Sequence, residues 1–93
     1  MPKLTLPSGA EVEFCGLSFE AADAYLARES ELLDESKSDH ERIAGRRQLM
    51  RETLEQTCPE AWARARQSNR DVAALHRAVL AETFGSPDTE KNS

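Results

Sequence analysis

The segment 3–15, which reads KLTLPSGAEVEFC, constrains the fold more than any other part of the chain. Its alternating apolar residues, on the two sides of a Pro-Ser-Gly-Ala turn, are Leu4, Leu6, Val12 and Phe14. A period of two is typical of strands with one buried face, and Gly9 can supply the positive φ of a tight connection. The segment therefore predicts a β-hairpin. An isolated hairpin is marginal in water, so it must pack on helices or pair with a partner.

Helical periodicity begins after Ser18 and continues almost to the end of the chain. The apolar spacing and the capping residues predict four segments, over about 19–35, 39–57, 59–67 and 70–84. Ser38 and Glu41 match the Ser-x-x-Glu capping box, and Gly85 is placed as a helix stop. The expected fold is α+β and mostly helical: an N-terminal hairpin followed by three to four helices. Residues 1–85 are expected to form a single domain, with 86–93 as a disordered polar tail.

The predicted helices carry apolar residues that favour packing; on the second helix these are Ile43, Met50 and Leu54, with Leu49 beside them. The stripe of the first helix contains Phe19, Ala22, Leu26 and Leu33, flanked by Tyr25 and Leu32. The last helix carries the clearest stripe, formed by Val72, Leu75, His76, Val79, Leu80 and Phe84. Trp62 anchors the short third helix. Such faces either form the chain's own core or stay available to a partner helix.

The charges are distributed unevenly along the chain. The net charge is −5 over 93 residues, but 11–35 holds eight acids against Arg28 alone, whereas 42–77 holds eight arginines against four acids. This division predicts docking of the acidic half on the basic half, within one molecule or between copies. The alternative, that both are simply solvated helix faces, stays open.

Composition also bounds location and redox state. No apolar run approaches the roughly 20 residues that span a bilayer, and the N-terminus lacks a signal-peptide pattern. We therefore expect a soluble protein of the cytosol. Cys15 and Cys58 are far apart in sequence without a CxxC spacing, so we expect free thiols.

No catalytic, metal-binding or cofactor-binding motif is present in the sequence. His40, His76 and the two cysteines are scattered without ligand spacing, so no metal site is predicted. No GxSxG or glycine-rich phosphate loop occurs. We expect a protein that is not an enzyme and needs no cofactor.

A DNA-binding regulator is the alternative from another functional class. Arginines gather on the predicted second helix (Arg42, Arg46, Arg47 and Arg51) and on the last (Arg70 and Arg77). Two helices across a short turn superficially suggest a helix-turn-helix. The negative net charge and the scarcity of Asn, Gln and Ser on the last helix disfavour nucleic acid as a partner.

The stretch LTLPSGAEVEF over residues 4–14 resembles the opening of tail assembly chaperones and related small tail proteins of long-tailed bacteriophages. Those proteins begin with a Leu-Pro-small-Gly turn between two short strands, followed by helices. A small baseplate-hub assembly protein of contractile-tailed phages shares this start, so the two remain alternatives.

The resemblance implies a non-enzymatic role with protein partners: tail tape-measure, tail or hub proteins, kept soluble in the host cytoplasm until polymerisation. A permanent component of the virion tail or baseplate is the second possibility, and a homo-oligomer is left open. The family has no catalytic residues to transfer. The residues we expect to contact partners are Leu6, Phe14, Arg46, Arg47 and Trp62.

Overall fold

The structure, a computed structural model, describes residues 1–85 and has the predicted α+β, mostly helical fold. Its elements in chain order are β1 (Lys3–Thr5), β2 (Glu11–Glu13), α1 (Phe19–Glu31), α2 (Asp39–Thr57), α3 (Pro59–Ala65) and α4 (Asn69–Phe84). The hairpin and all four helices predicted from the sequence are therefore present. The predicted disordered tail, 86–93, lies outside the described residues.

The β-hairpin predicted from the alternation of apolar and polar residues is present. The strands are antiparallel, with Leu4 paired to Val12 at the centre of the register. The turn is closed by Leu6 N–H donating to the Ala10 carbonyl at 2.8 Å and by Gly9 N–H donating to the Leu6 carbonyl at 2.8 Å. Gly9 has φ 98°, a conformation that costs a side-chain-bearing residue energy. One face of the ribbon is exposed and the other is directed at the helices.

Three of the helices begin at a serine cap. The hydroxyls of Ser18, Ser38 and Ser68 accept from the backbone N–H three residues later, and Ser38 with Glu41 forms the complete capping box. Pro59 stands in the first turn of α3, where a missing N–H costs nothing. Local capping therefore sets most of the helix starts.

The first helix ends earlier than the sequence predicts, at Glu31 instead of about residue 35. The Asp34 carboxylate accepts from Ser36 N–H at 2.9 Å, which gives the chain a turn in place of another helical step. Arg42 of α2 also donates to the Asp34 carbonyl at 3.1 Å. Smaller differences occur in α3, which ends at Ala65 rather than 67, and in α4, which begins one residue earlier than predicted.

The core lies between the inner face of the hairpin and helices α2, α3 and α4. Its buried members are Leu6, Val12, Phe14, Leu54, Cys58, Ala61, Ala65, Leu75 and Val79. Leu54, Leu75 and Val79 are fully buried. The hairpin therefore satisfies its need for a packing surface within its own molecule.

The hairpin turn and the segment that follows the hairpin are attached to opposite ends of α4. At the N-terminal end, the buried Asp71 carboxylate accepts from Ser8 N–H at 3.0 Å and from the Ser8 hydroxyl at 2.6 Å. At the C-terminal end, Leu17 N–H donates to the Thr83 hydroxyl at 2.8 Å. Gly16 permits this approach, since a Cβ there would lie 3.3 Å from the backbone carbon of Glu82. The turn of the hairpin and the segment that follows β2 are thus fixed at opposite ends of α4, while β2 packs against α3.

Helix α1 lies at the edge of this assembly. It contacts α2 through an ion pair of 2.6 Å between Arg28 and Glu52 and through Leu32. Leu32 packs so closely on Gly45 that a Cβ on Gly45 would be 2.5 Å from its Cδ2. Gly45, a costly residue in a helix interior, therefore marks the closest approach of the two segments.

Replacing Asp71 with Ala should lower the free energy of unfolding by about 2–4 kcal/mol, because hydrogen bonds to a charged acceptor are lost and Ser8 N–H loses its partner. Urea denaturation with an unchanged slope measures this loss. Asp23→Ala, which removes an exposed carboxylate of α1, is the matched control and should change stability by less than about 0.5 kcal/mol. Equal effects of the two substitutions would show that the Ser8–Asp71 contact does not hold the hairpin.

Candidate functional site

Two of the predicted partner-binding residues lie in the core. Leu6 is 2% exposed and Phe14 is 7% exposed, and both pack in the cluster that joins the hairpin to the helices. In this conformation neither side chain offers surface to another molecule. Their role in partner contact stays a prediction, and it would require the hairpin to leave the core.

Two others, Trp62 and Arg47, line a common groove of about 920 Å³ between α2 and the α3–α4 pair. The Trp62 indole is half-buried and packs against the core from outside. The guanidinium carbon of Arg66 lies 6.0 Å from the centroid of that ring, at the outer limit of a cation–π contact. Arg47 donates to the Asn69 side-chain oxygen at 2.9 Å and so bridges α2 to the start of α4. We call this the indole groove.

The indole groove carries unbalanced positive charge. Of the two carboxylates that line it, Glu55 lies 3.7 Å from Arg51 and Glu52 is paired with Arg28. Arg47 and Arg66 form no ion pair with any residue between 1 and 85. An aromatic ring at the base of the groove, with guanidinium groups that have no carboxylate partner around it, suits an apolar side chain that is flanked by carboxylates.

Arg46, the remaining predicted residue, lies apart from the indole groove. It is exposed on α2, on the side of that helix nearer to Tyr25 of α1 and His76 of α4, whose pKa values its charge affects only weakly. The Tyr25 hydroxyl lies 3.0 Å from His76 Nε2, and the two rings are 5.9 Å apart at their centroids. This pair ties α1 to α4.

Burial shifts the proton affinity of this pair. Desolvation, reinforced by the nearby Glu29 carboxylate, raises the pKa of Tyr25 to about 12. Desolvation lowers the pKa of His76 below its usual 6.5, against the opposing effect of Glu29. At neutral pH the imidazole is therefore uncharged and the phenol keeps its proton, which is the state that allows a hydrogen bond between them.

The second unpartnered surface lies on α1, and the sequence prediction did not identify it as exposed. Phe19 is 83% exposed and Leu26 is 46% exposed, so these two residues of the predicted apolar stripe remain outside the core. They stand seven residues apart and so share a helix face; Asp23 lies on that face, Glu20 flanks it, and both carboxylates are exposed. We call Phe19, Glu20, Asp23 and Leu26 the α1 ridge. The side chain of α1 that is buried is Tyr25.

The available signal for this surface is the seven-residue spacing itself. Phe19, Leu26 and Leu33 recur at that interval, while Tyr25 and Leu32 form a neighbouring line. An amphipathic helix with two adjacent apolar lines can bury only one of them when a single layer packs against it. The sequence does not say which line is buried, because that depends on where α4 places His76.

The cysteines carry no reactive signature. Both are free thiols; Cys15 donates to the Thr57 carbonyl at 3.3 Å, and burial raises the pKa of Cys58 to about 11. A raised pKa suppresses the thiolate that nucleophilic chemistry requires. Among residues 1–85, no three His, Cys, Asp or Glu side chains are grouped as metal ligands would be. In that same part of the chain, no helix has the length and apolar character needed to cross a membrane.

Acidification should destabilise the fold through His76. The unfolded chain takes up a proton near pH 6.5, whereas the folded chain does so only at lower pH. The unfolded state therefore binds more protons in this window, and the free energy of unfolding falls as pH falls below 6.5. Urea titrations at several pH values should show this decrease in wild type and in His40→Gln, and a flatter profile in His76→Gln. An unchanged profile in His76→Gln would contradict the assignment.

Comparison with protein-family models, with curated proteins and with solved structures finds no match for this chain. The two unpartnered surfaces, the α1 ridge and the indole groove, are therefore the observations from which its function is inferred.

Proposed function

We propose that this protein is a non-enzymatic assembly chaperone of a bacteriophage tail, and that the α1 ridge binds the client. The observation that carries the proposal is the exposure of Phe19 and Leu26 on one face of a well-formed helix. Burying an exposed Phe or Leu gains about 1.5–3 kcal/mol, so a helix face that leaves both in water is suited to contact with another protein.

The distribution of apolar residues between core and surface supports this role. The stripe of α4 is used internally except at its C-terminal end, since Leu75 and Val79 are fully buried whereas Phe84 is 44% exposed. The stripe of α1 is not, because the helix docks through Tyr25 and turns Phe19 and Leu26 outward. A chaperone for long amphipathic helices needs a stable body and one uncovered apolar face, and these two stripes supply them separately.

The charges beside the apolar residues favour a particular kind of client. Glu20 and Asp23 are both exposed on the ridge, so an amphipathic client helix with Lys or Arg beside its apolar face is the complementary partner. Under the proposed role in tail assembly, the client is a tape-measure, tail or hub protein, which the chaperone binds in the host cytoplasm before polymerisation.

A permanent component of a tail or baseplate is the second candidate. The indole groove favours it, because a charged groove with an aromatic floor would serve contacts with neighbouring subunits in a finished particle. The content of purified particles separates the two: a chaperone should be missing from them, whereas a structural component should be present in fixed number.

Client binding should depend on the ridge and not on exposed apolar residues in general. With a tape-measure or hub protein as co-expressed bait, Phe19→Asp/Leu26→Asp should weaken capture at least tenfold, since about 1.4 kcal/mol of lost burial is already tenfold in affinity. Ile43→Asp is the matched control, because Ile43 is 61% exposed on α2. Circular dichroism and urea titration establish that each variant stays folded. Full capture by the folded double variant would refute the ridge as the client surface.

A further inference from the structure

We infer that the indole groove of one molecule binds the α1 ridge of a second copy of this chain, so that copies associate head to tail. The inference goes beyond the proposed client role, because the indole groove has no part in that role. Its basis is that one molecule carries two unpartnered surfaces, each with exposed apolar or aromatic residues and with charges of opposite sign.

The base of the indole groove is apolar, and arginine side chains around it carry positive charge. Trp62 is half-buried at its base, beside Met50 and Val72, and the guanidinium groups of Arg47 and Arg66 stand around it. Its volume of about 920 Å³ lies at the upper end of the range for binding clefts, which reaches about 1,000 Å³. An aromatic side chain together with part of the helix that carries it fits such a space.

The α1 ridge presents an exposed aromatic side chain with carboxylates beside it. Phe19 is the first residue of α1 and the most exposed of the large apolar residues in the described chain. Glu20 and Asp23 lie within about one turn of it, where they can face the groove's arginines when the ring contacts the indole. Stacked aromatic rings with charged pairs around them are a common arrangement at protein interfaces.

The ridge cannot reach the groove of its own molecule. Arg28, which pairs with Glu52 of α2, stands nine residues after Phe19, and nine residues at 3.6 per turn place it on the opposite face of α1. The ridge therefore points away from α2, and no residue of α1 lines the groove. The charge division along the sequence is thus satisfied between copies rather than within one.

Contact between two different surfaces has a consequence for assembly size. After one ridge enters one groove, the first molecule still has a free groove and the second a free ridge. Such heterologous contacts build open chains, or rings when the rotation closes, and do not stop at a dimer. The association should also weaken with salt, because guanidinium–carboxylate pairs contribute to it.

The test uses two variants of the full chain. The ridge variant, Phe19→Ser/Leu26→Ser, keeps an intact groove; the groove variant, Arg47→Glu/Arg66→Glu, keeps an intact ridge. Sedimentation of wild type across a concentration series should show growth beyond the dimer, reduced in high salt. Each variant alone should stay monomeric at concentrations where wild type associates. Its midpoint concentration for self-association should be at least tenfold higher than that of wild type. Their equimolar mixture should form a one-to-one complex and nothing larger.

A matched control and an optical signal complete the experiment. Arg70→Glu/Arg77→Glu makes the same change of charge at two exposed arginines of α4 that do not line the groove, and it should associate like wild type. Trp62 is the only tryptophan, so its emission should shift to shorter wavelength as wild type associates. Folding of every variant is checked by circular dichroism.

Three results would overturn the inference: wild type that stays monomeric at all concentrations, a groove variant that associates like wild type, or a variant mixture that stays monomeric. These outcomes are distinct from failure of the client role. The groove variant should still capture the client, whereas the ridge variant should lose both activities. Wild type that captures the client but stays monomeric at all concentrations would therefore reject the head-to-tail contact alone.

Discussion

The contact between Asp71 and Ser8 is the constraint on which the arrangement of this protein depends. A hairpin with strands of three residues makes too few ladder hydrogen bonds to persist alone, and it needs a fixed position on the helices. The Asp71 carboxylate provides that position by accepting both hydrogen bonds that the Ser8 main chain and hydroxyl can donate. The same residue stands in the first turn of α4, where a negative charge is favoured by the helix dipole. One buried side chain therefore stabilises the helix start and fixes the turn.

Fixing the hairpin on α4 decides which apolar surfaces remain available. Leu6 and Phe14 are directed into the space between the helices, and this closes the face of α4 that carries Leu75 and Val79. Little core surface is then left for α1, which joins through Tyr25, Leu32 and an ion pair that is about 40% exposed on both sides. Exposed ion pairs contribute at most about 1 kcal/mol, so α1 is held mainly by two side chains. Its outward face is uncovered because the core is already filled.

The elements that could be predicted are those set by local chemistry. Alternation and the Pro-Ser-Gly turn determine the hairpin, and serine caps determine where α1, α2 and α4 begin. The predictions differ from the structure where a side chain forms hydrogen bonds with the backbone near a helix end. They also differ where packing between distant segments determines which residues are buried. After Glu31 the backbone changes to hydrogen bonds three residues back, followed by the Asp34–Ser36 turn, and the apolar spacing does not indicate this change. Asp71 looks like an ordinary first-turn acid, since its contact with Ser8 spans 63 residues of sequence.

The candidate site was predictable only in part, for a related reason. Trp62 and Arg47 do share a groove, but Leu6 and Phe14 belong to the core, and the sequence left open whether the apolar stripe of α1 packs internally or binds a partner. The reason is that a small chain with few apolar residues forms a small core, which cannot cover every apolar helix face. The apolar spacing of a helix therefore does not show whether that face packs on the core or remains in solvent. This has a physical consequence for α1. Because few contacts hold it, anything that binds the ridge, whether a client helix or the groove of another copy, also stabilises α1 against local opening. Occupancy of the ridge and order of α1 should therefore rise together, which links the folding of this helix to the assembly state of the protein.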